Sequence, residues 1–436
     1  MSSSTTPGLR FEQAPPLSIP GRFFVTAPVA IAFAGIMMLF EGNQLFLTSW
    51  ASETIAFTHL ATLGFLAMII FGALYQMTPV VAGSPVPYIH IAKLAHGAFS
   101  LSIIILCSGI GSHTPALVAV ARWCLLPALL LLAVPITYAI VKAPTQKLAR
   151  QNDTVNAMQL AMLAMWLTLG LGLVMASGHA NGSWPRGREH WLAAHLGLAL
   201  LGWVGGLITA VSWQVLPMFY LAKQTHRILT KSIRFLLIIG ITSLGLSLLI
   251  GKISSAQLLD VVFGTLGLVS LALAVWVIAP AATLYALAHR RRKRTELSLR
   301  TWQMASCFAV LALATALISL GSHDNRWALQ FGWIAIWGWA ALLMHGMLLR
   351  IVPFLVWFHR FSPLVGKVRT PSMKKLLPKN SSTAAIVFHV VTLVLASMAI
   401  WTGSDIIARV TGLSLLTTAV LMELTLYKVF SEYPQL

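Results

Sequence analysis

Thirteen histidines stand in a chain of 436 residues of which only 9% are charged. Imidazole is the side chain that ligates haem iron or copper and that exchanges a proton near neutral pH. Nine of them fall into two sets. His59, His113, His179, His190, His195 and His323 lie near one end of long apolar runs or in the adjoining loops. His96, His345 and His389 lie about two helical turns inside such runs, measured from the other end, at a depth shared with Arg350 and Glu423. In the first set, His59 and His195 are candidates for haem or copper ligation. The same residue type is equally at home as an interfacial histidine held by hydrogen bonds. His113, between Ser112 and Thr114, is a candidate copper contact or a solvated loop residue. The second set, with Arg350 and Glu423, reads either as a proton path or as a polar helix-packing network, because ionisable groups inside a membrane are costly unless paired.

The elements that must position these residues follow from composition. The chain is 58% hydrophobic, whereas soluble domains carry about 25% charged residues. In hydrocarbon every backbone amide must be paired internally, which leaves helices or a closed barrel. Apolar runs of about 20 residues without in/out alternation select helices. The sequence predicts an all-α, polytopic membrane helix bundle of about twelve spans, near 23–47, 57–82, 90–112, 115–141, 155–178, 191–218, 232–252, 257–287, 303–321, 327–354, 383–402 and 406–430. Residues 1–22 are proline-rich and polar, with no signal-peptide pattern, and read as a flexible cytoplasmic tail.

The net charge of +19 needs no nucleic-acid partner. Its cations cluster in alternate loops: Lys142, Lys147 and Arg150; Lys223 to Arg234; Arg290 to Arg294; and Arg360 to Lys379, with Arg10 and Arg22 on the same side. The positive-inside rule then places both termini in the cytoplasm and the chain in a bacterial-type inner membrane. Arg186 and Lys252 are among the few cations opposite. Cys107, Cys124 and Cys307 form no CxxC or CxxCH pattern and read as packing residues. No GxxxxGK[ST] loop or HExxH motif is present.

A glycine–proline frame recurs in the second, sixth and tenth spans: Gly64-Phe65 to Pro79, Gly202-Trp203 to Pro217, and Gly338-Trp339 to Pro353. Glycine and proline are fifteen positions apart each time, and the glycines follow one another at 138 and 136 residues. This spacing divides the chain into three four-helix repeats, 23–141, 155–287 and 303–430. Trp327, Trp333, Trp337 and Trp339 crowd the tenth span, where a lipid-interface belt accounts for part of the clustering.

The run His59-Leu-Ala-Thr-Leu-Gly64-Phe65, followed by Gly72-Ala-Leu-Tyr75-Gln-Met-Thr-Pro79, resembles the second helix of the haem-copper oxidase and nitric oxide reductase catalytic subunits. In that superfamily a haem-ligating histidine precedes such an ending, and twelve helices form three four-helix arcs. The chain is also similar to the NnrS family, haem- and copper-containing membrane proteins linked to nitric oxide stress. There two histidines precede the comparable glycine by seven and five positions. Here His59 precedes Gly64 by five and His195 precedes Gly202 by seven.

The resemblance implies a b-type haem held by His59, with His195, His113 or no residue as second ligand, and bound copper. It also implies electron transfer or a nitric oxide response, with a redox partner protein or quinol as electron donor. Departures are specific. The seventh span has no histidine pair for copper, the sixth lacks the histidine–tyrosine motif, and the tenth has Phe331 and Trp333 where the oxidases carry two ligands. An intact oxygen-reducing dinuclear centre is therefore not expected. The competing expectations are a transporter or channel, with the deeper set lining its path, and a non-catalytic assembly subunit that kept the fold.

Overall fold

The computed structural model describes residues 14–144, 149–185, 187–250 and 257–431. Residues 1–13 of the tail, Lys147, Arg186 and Lys252 lie outside them. Twelve helices are long and apolar enough to cross a membrane. The first four are α1 (Ser18–Phe46), α2 (Ser52–Ala82), α3 (Ile91–Gly111) and α4 (Pro115–Val141). Next come α5 (Asn152–Asn181), α6 (Arg188–Tyr220), α7 (Arg227–Ile250) and α8 (Leu258–Ala288). The last are α9 (Leu297–Gly321), α10 (Asn325–Leu364), α11 (Lys379–Thr402) and α12 (Asp405–Ser431). Among the described residues there is no strand. The protein is an all-α, multi-pass membrane helix bundle.

The starts of α2, α7 and α9 fall five or six residues before the expected limits, and two further ends differ for a physical reason. Helix α1 begins at Ser18, not near 23, because Pro20 falls in the first turn, where a missing N–H costs nothing. Helix α10 does not stop near Pro353. It continues through a π-helical turn, Trp357–Phe361, and a short 3-10 turn, Ser362–Leu364. Prolines inside membrane helices are tolerated where such local adjustments re-pair the freed backbone groups.

Helices α2, α6 and α10 carry the Gly–Pro frames and are the most buried. Of their most apolar stretch, 67%, 72% and 72% lies inside the protein, against 28 to 50% for the other nine. Each frame glycine falls within a π-helical run: Gly64 in Leu60–Ala67, Gly202 in Gly197–Gly205 and Gly338 in Ile334–Ala341. A π run adds a residue to the turn and so rotates everything beyond it.

The chain forms two compact units. Among the described residues, unit I comprises Ala14 with segments of Gln76–Tyr88 and Thr114–Arg294. Within it α4 packs on α5, α5 on α6, and α7 on α8. Asp153 at the start of α5 is buried and accepts from Arg234 of α7 at 2.9 Å and from the Thr230 hydroxyl at 3.1 Å. Unit II comprises Pro15–Tyr75, Ile89–His113 and Thr295–Leu436. Here α1 lies along α12, α12 along α11, and α9 along α10, while α2 meets α1, α3 and α10. The α1–α12 contact depends on two glycines. A Cβ on Gly35 would stand 2.9 Å from the Gly412 carbonyl, and one on Gly412 would stand 2.7 Å from the Leu39 amide. Small residues let membrane helices approach backbone to backbone in this way.

Candidate functional site

The best-defined polar site lies inside unit II, where α10 and α11 bring two histidines of the deeper set together. His345 and His389 are both fully buried, and their Nδ1 atoms are 3.2 Å apart. His389 Nε2 lies 3.0 Å from the Trp337 carbonyl. A carbonyl can only accept, so His389 Nε2 must carry a hydrogen. With both rings neutral, His389 Nδ1 is then bare and accepts from His345 Nδ1–H. The chain of donors therefore leaves a bare lone pair on His345 Nε2, a buried atom with no hydrogen-bond partner in the protein.

The π run holds this arrangement in place. The Trp337 carbonyl accepts from the Leu342 N–H five residues on, in the π pattern, and uses its second lone pair for His389. The Trp337 indole N–H donates in turn to the His389 carbonyl at 3.1 Å, and its ring stacks on the imidazole at 3.9 Å and 6°. Trp333 stacks behind Trp337 at 5.9 Å. Trp333, Trp337 and Trp339 are thus buried core residues, and the expectation of an interface belt fails for them. Only Trp327, edge-on to Trp401 at 4.7 Å, is part-exposed.

The remaining deep candidates separate. His96 of α3 sits edge-on to Phe23, with its Nε2 3.0 Å from the Thr26 hydroxyl oxygen. Because that hydroxyl already donates to the Arg22 carbonyl at 2.8 Å, His96 Nε2 is the donor and its Nδ1 carries the lone pair. Arg350 is ion-paired with Glu296 at 2.8 Å, a partner that hydropathy hides in the loop before α9. Glu423 of α12 has a buried Oε1 with no hydrogen-bond partner.

At the other end of unit II, His59 of α2 is half-buried, and its Nδ1 lies 2.8 Å from the Ile55 carbonyl one turn earlier. Nδ1 is therefore protonated and Nε2 bare. The π run begins at the next residue, Leu60. His113 is exposed and its Nε2 is 2.8 Å from the Glu53 carboxylate, so that nitrogen is already engaged. His195 belongs to unit I. It is half-buried on α6, two residues before the π run, with room made by Gly172 of α5, where a Cβ would stand 3.2 Å from the ring. Among the described residues no three His, Cys, Asp or Glu side chains gather as they would around a metal ion.

The fold and these contacts define a polytopic membrane helix bundle with two imidazoles buried between α10 and α11. No known family model and no curated protein matches the chain.

Proposed function

We propose that this chain is an integral membrane haem protein, a divergent relative of the haem-copper oxidase and NnrS group, that handles electrons or nitric oxide. His59 is its axial ligand, acting through Nε2. The carrying observation is the hydrogen bond from His59 Nδ1–H to the Ile55 carbonyl at 2.8 Å. A ring nitrogen tied to a carbonyl fixes the tautomer and aims the other nitrogen as a ligand, the usual outer arrangement behind a metal-bound histidine. A donor set of single imidazoles suits haem, which needs one or two protein ligands, better than copper held by several. The Gly–Pro frames on the three most buried helices support the relationship, because the superfamily is built from three four-helix arcs.

When bound, haem supplies one-electron chemistry and an iron site for a diatomic ligand. The protein's part is to hold His59 Nε2 bare and to shield it within α2. Electrons come from a redox protein or a quinol in the bilayer of a bacterial-type inner membrane. The test is an optical spectrum of protein purified from haem-replete cells. A Soret band is expected, lost in His59→Ala and kept in His113→Ala. A colourless wild-type preparation overturns the reading.

A further inference from the structure

Independently of any haem at His59, unit I carries a basic corner where α6 ends and α7 begins, beside the end of α8. Two stretches far apart in sequence are tied together there. The Arg291 N–H donates to the Leu221 carbonyl at 3.0 Å, and the Lys223 N–H donates to the Ala286 carbonyl at 3.3 Å. The second bond supplies a donor to one of the last carbonyls of α8, which have none within the helix. Leu221 presents its carbonyl from a left-handed conformation, φ 51°, an outlier for a bulky residue. The Lys223 ammonium then lies over the Tyr285 ring at 5.2 Å and donates to its hydroxyl oxygen at 3.2 Å.

Acids do not balance this corner. Between Thr114 and Arg294 the sequence holds three, Asp153, Glu189 and Asp260. Glu189 and Asp260 stand near the starts of α6 and α8, at the opposite ends of those helices. Asp153 is buried and already taken by Arg234 at 2.9 Å and Arg227 at 3.9 Å. Arg290 is committed to the Leu287 and Lys293 carbonyls. Lys231, Arg291, Lys293 and Arg294 are exposed, and their side chains have no acidic partner among the described residues. Capping of α8 explains the Lys223 amide and the Arg290 guanidinium, but not these. Apolar surface lies among the cations: Leu221 and Tyr285 are each 53% exposed and Ile228 is 65% exposed. A soluble anion gains nothing from such neighbours, whereas a lipid presents phosphate and hydrocarbon side by side. Basic segments at a membrane surface attract anionic headgroups in this way.

We propose that this corner binds the headgroup of an anionic phospholipid, with the phosphate between Lys223 and Arg291 and the acyl chains along Leu221 and Ile228. Lys293 and Arg294 add to the attraction. Native mass spectrometry of the full-length protein, delipidated in detergent and titrated with phosphatidylglycerol or phosphatidylcholine, tests this. Phosphatidylglycerol is expected to bind at least about tenfold more tightly. Each basic residue near an anionic membrane surface is worth about fivefold in binding, so Lys223→Gln with Arg291→Gln is expected to weaken phosphatidylglycerol by about 25-fold. The same pair is expected to leave phosphatidylcholine unchanged. Lys374→Gln with Lys375→Gln, in the basic loop of unit II, is expected to change neither lipid. Should the first pair fail to fold, Lys293→Gln with Arg294→Gln takes its place and is expected to weaken phosphatidylglycerol alone. Equal loss in the unit II pair, no preference between the lipids, or displacement of phosphatidylglycerol by an equal concentration of inorganic phosphate overturns the proposal.

Discussion

The donor chain Trp337–His389–His345 makes the two buried histidines unequal, although they touch each other. Replacing His389 by leucine strips the acceptor from His345 Nδ1–H and the donor from the Trp337 carbonyl. The stranded N–H costs about 1–3 kcal/mol. The carbonyl, which keeps its Leu342 partner, loses about 0.5–1.5 kcal/mol. Loss of the 3.9 Å stack on Trp337 adds about 0.5–1.5 kcal/mol. The sum is about 2–6 kcal/mol. Replacing His345 by leucine leaves only the His389 Nδ1 lone pair without a donor, and it removes a lone pair that had no protein partner. About 0–2 kcal/mol is expected there. Reversible unfolding in mixed micelles measures both, and the double variant should show a coupling of about 0.6–1.7 kcal/mol, the range seen for interhelical hydrogen bonds in membranes. Equal costs, a larger cost for His345→Leu, or additive effects would refute the tautomer assignment. Nitrogen-15 shifts of labelled histidine provide a direct check, with His345 expected as the Nδ1–H form and His389 as the Nε2–H form.

Three further outcomes follow from contacts elsewhere. Gly412→Val puts a side chain 2.7 Å from the Leu39 amide and is expected to cost at least about 1–3 kcal/mol, read by the same unfolding assay, whereas Gly97→Ala, with nothing within 4 Å, is expected to cost far less. Arg234→Leu leaves the buried Asp153 with a weaker partner set and is expected to cost about 3–5 kcal/mol; an unchanged denaturation midpoint would contradict the pairing. Hydrogen bonds from Arg326 hold the Asp324 carboxyl below the usual carboxylate range. Because its folded value is depressed, any stability it contributes is present above the unfolded value and lost as pH falls through the folded one. Arg326→Ala is expected to return Asp324 to the ordinary range in an NMR titration.

The spans were legible because hydrophobic length alone sets them, and the observed helices lie within a few residues of most expected limits. The exceptions, such as α10 running on past Pro353 to Leu364, are places where local π or 3-10 turns re-pair the backbone in a way composition does not signal. The site was only half legible. Histidine depth could be counted from Pro353, but the pairing of His345 with His389 depends on how α10 faces α11. Hydropathy cannot report that, since a lipid-facing surface and a protein-facing one are equally apolar. For the same reason the buried Trp333 and Trp337 resemble interface residues in sequence. Glu296 does not stand out in sequence as the partner of Arg350, because a lone acid beside Arg294 and Thr295 looks like ordinary loop.

The π runs in α2, α6 and α10 also restrict how this chain can vary. Each turn of such a run is wider than an α-helical turn, so it takes up an extra residue while the flanking turns keep their facing. Were the run to tighten to an ordinary helix with no residue lost, every side chain beyond it would swing by about 100° around the axis. In α10 that swing would carry Met344 toward the place of His345. Exchanges of residue type that leave the wide turn intact can be absorbed, whereas one that tightens it would turn half a helix to face the wrong neighbours.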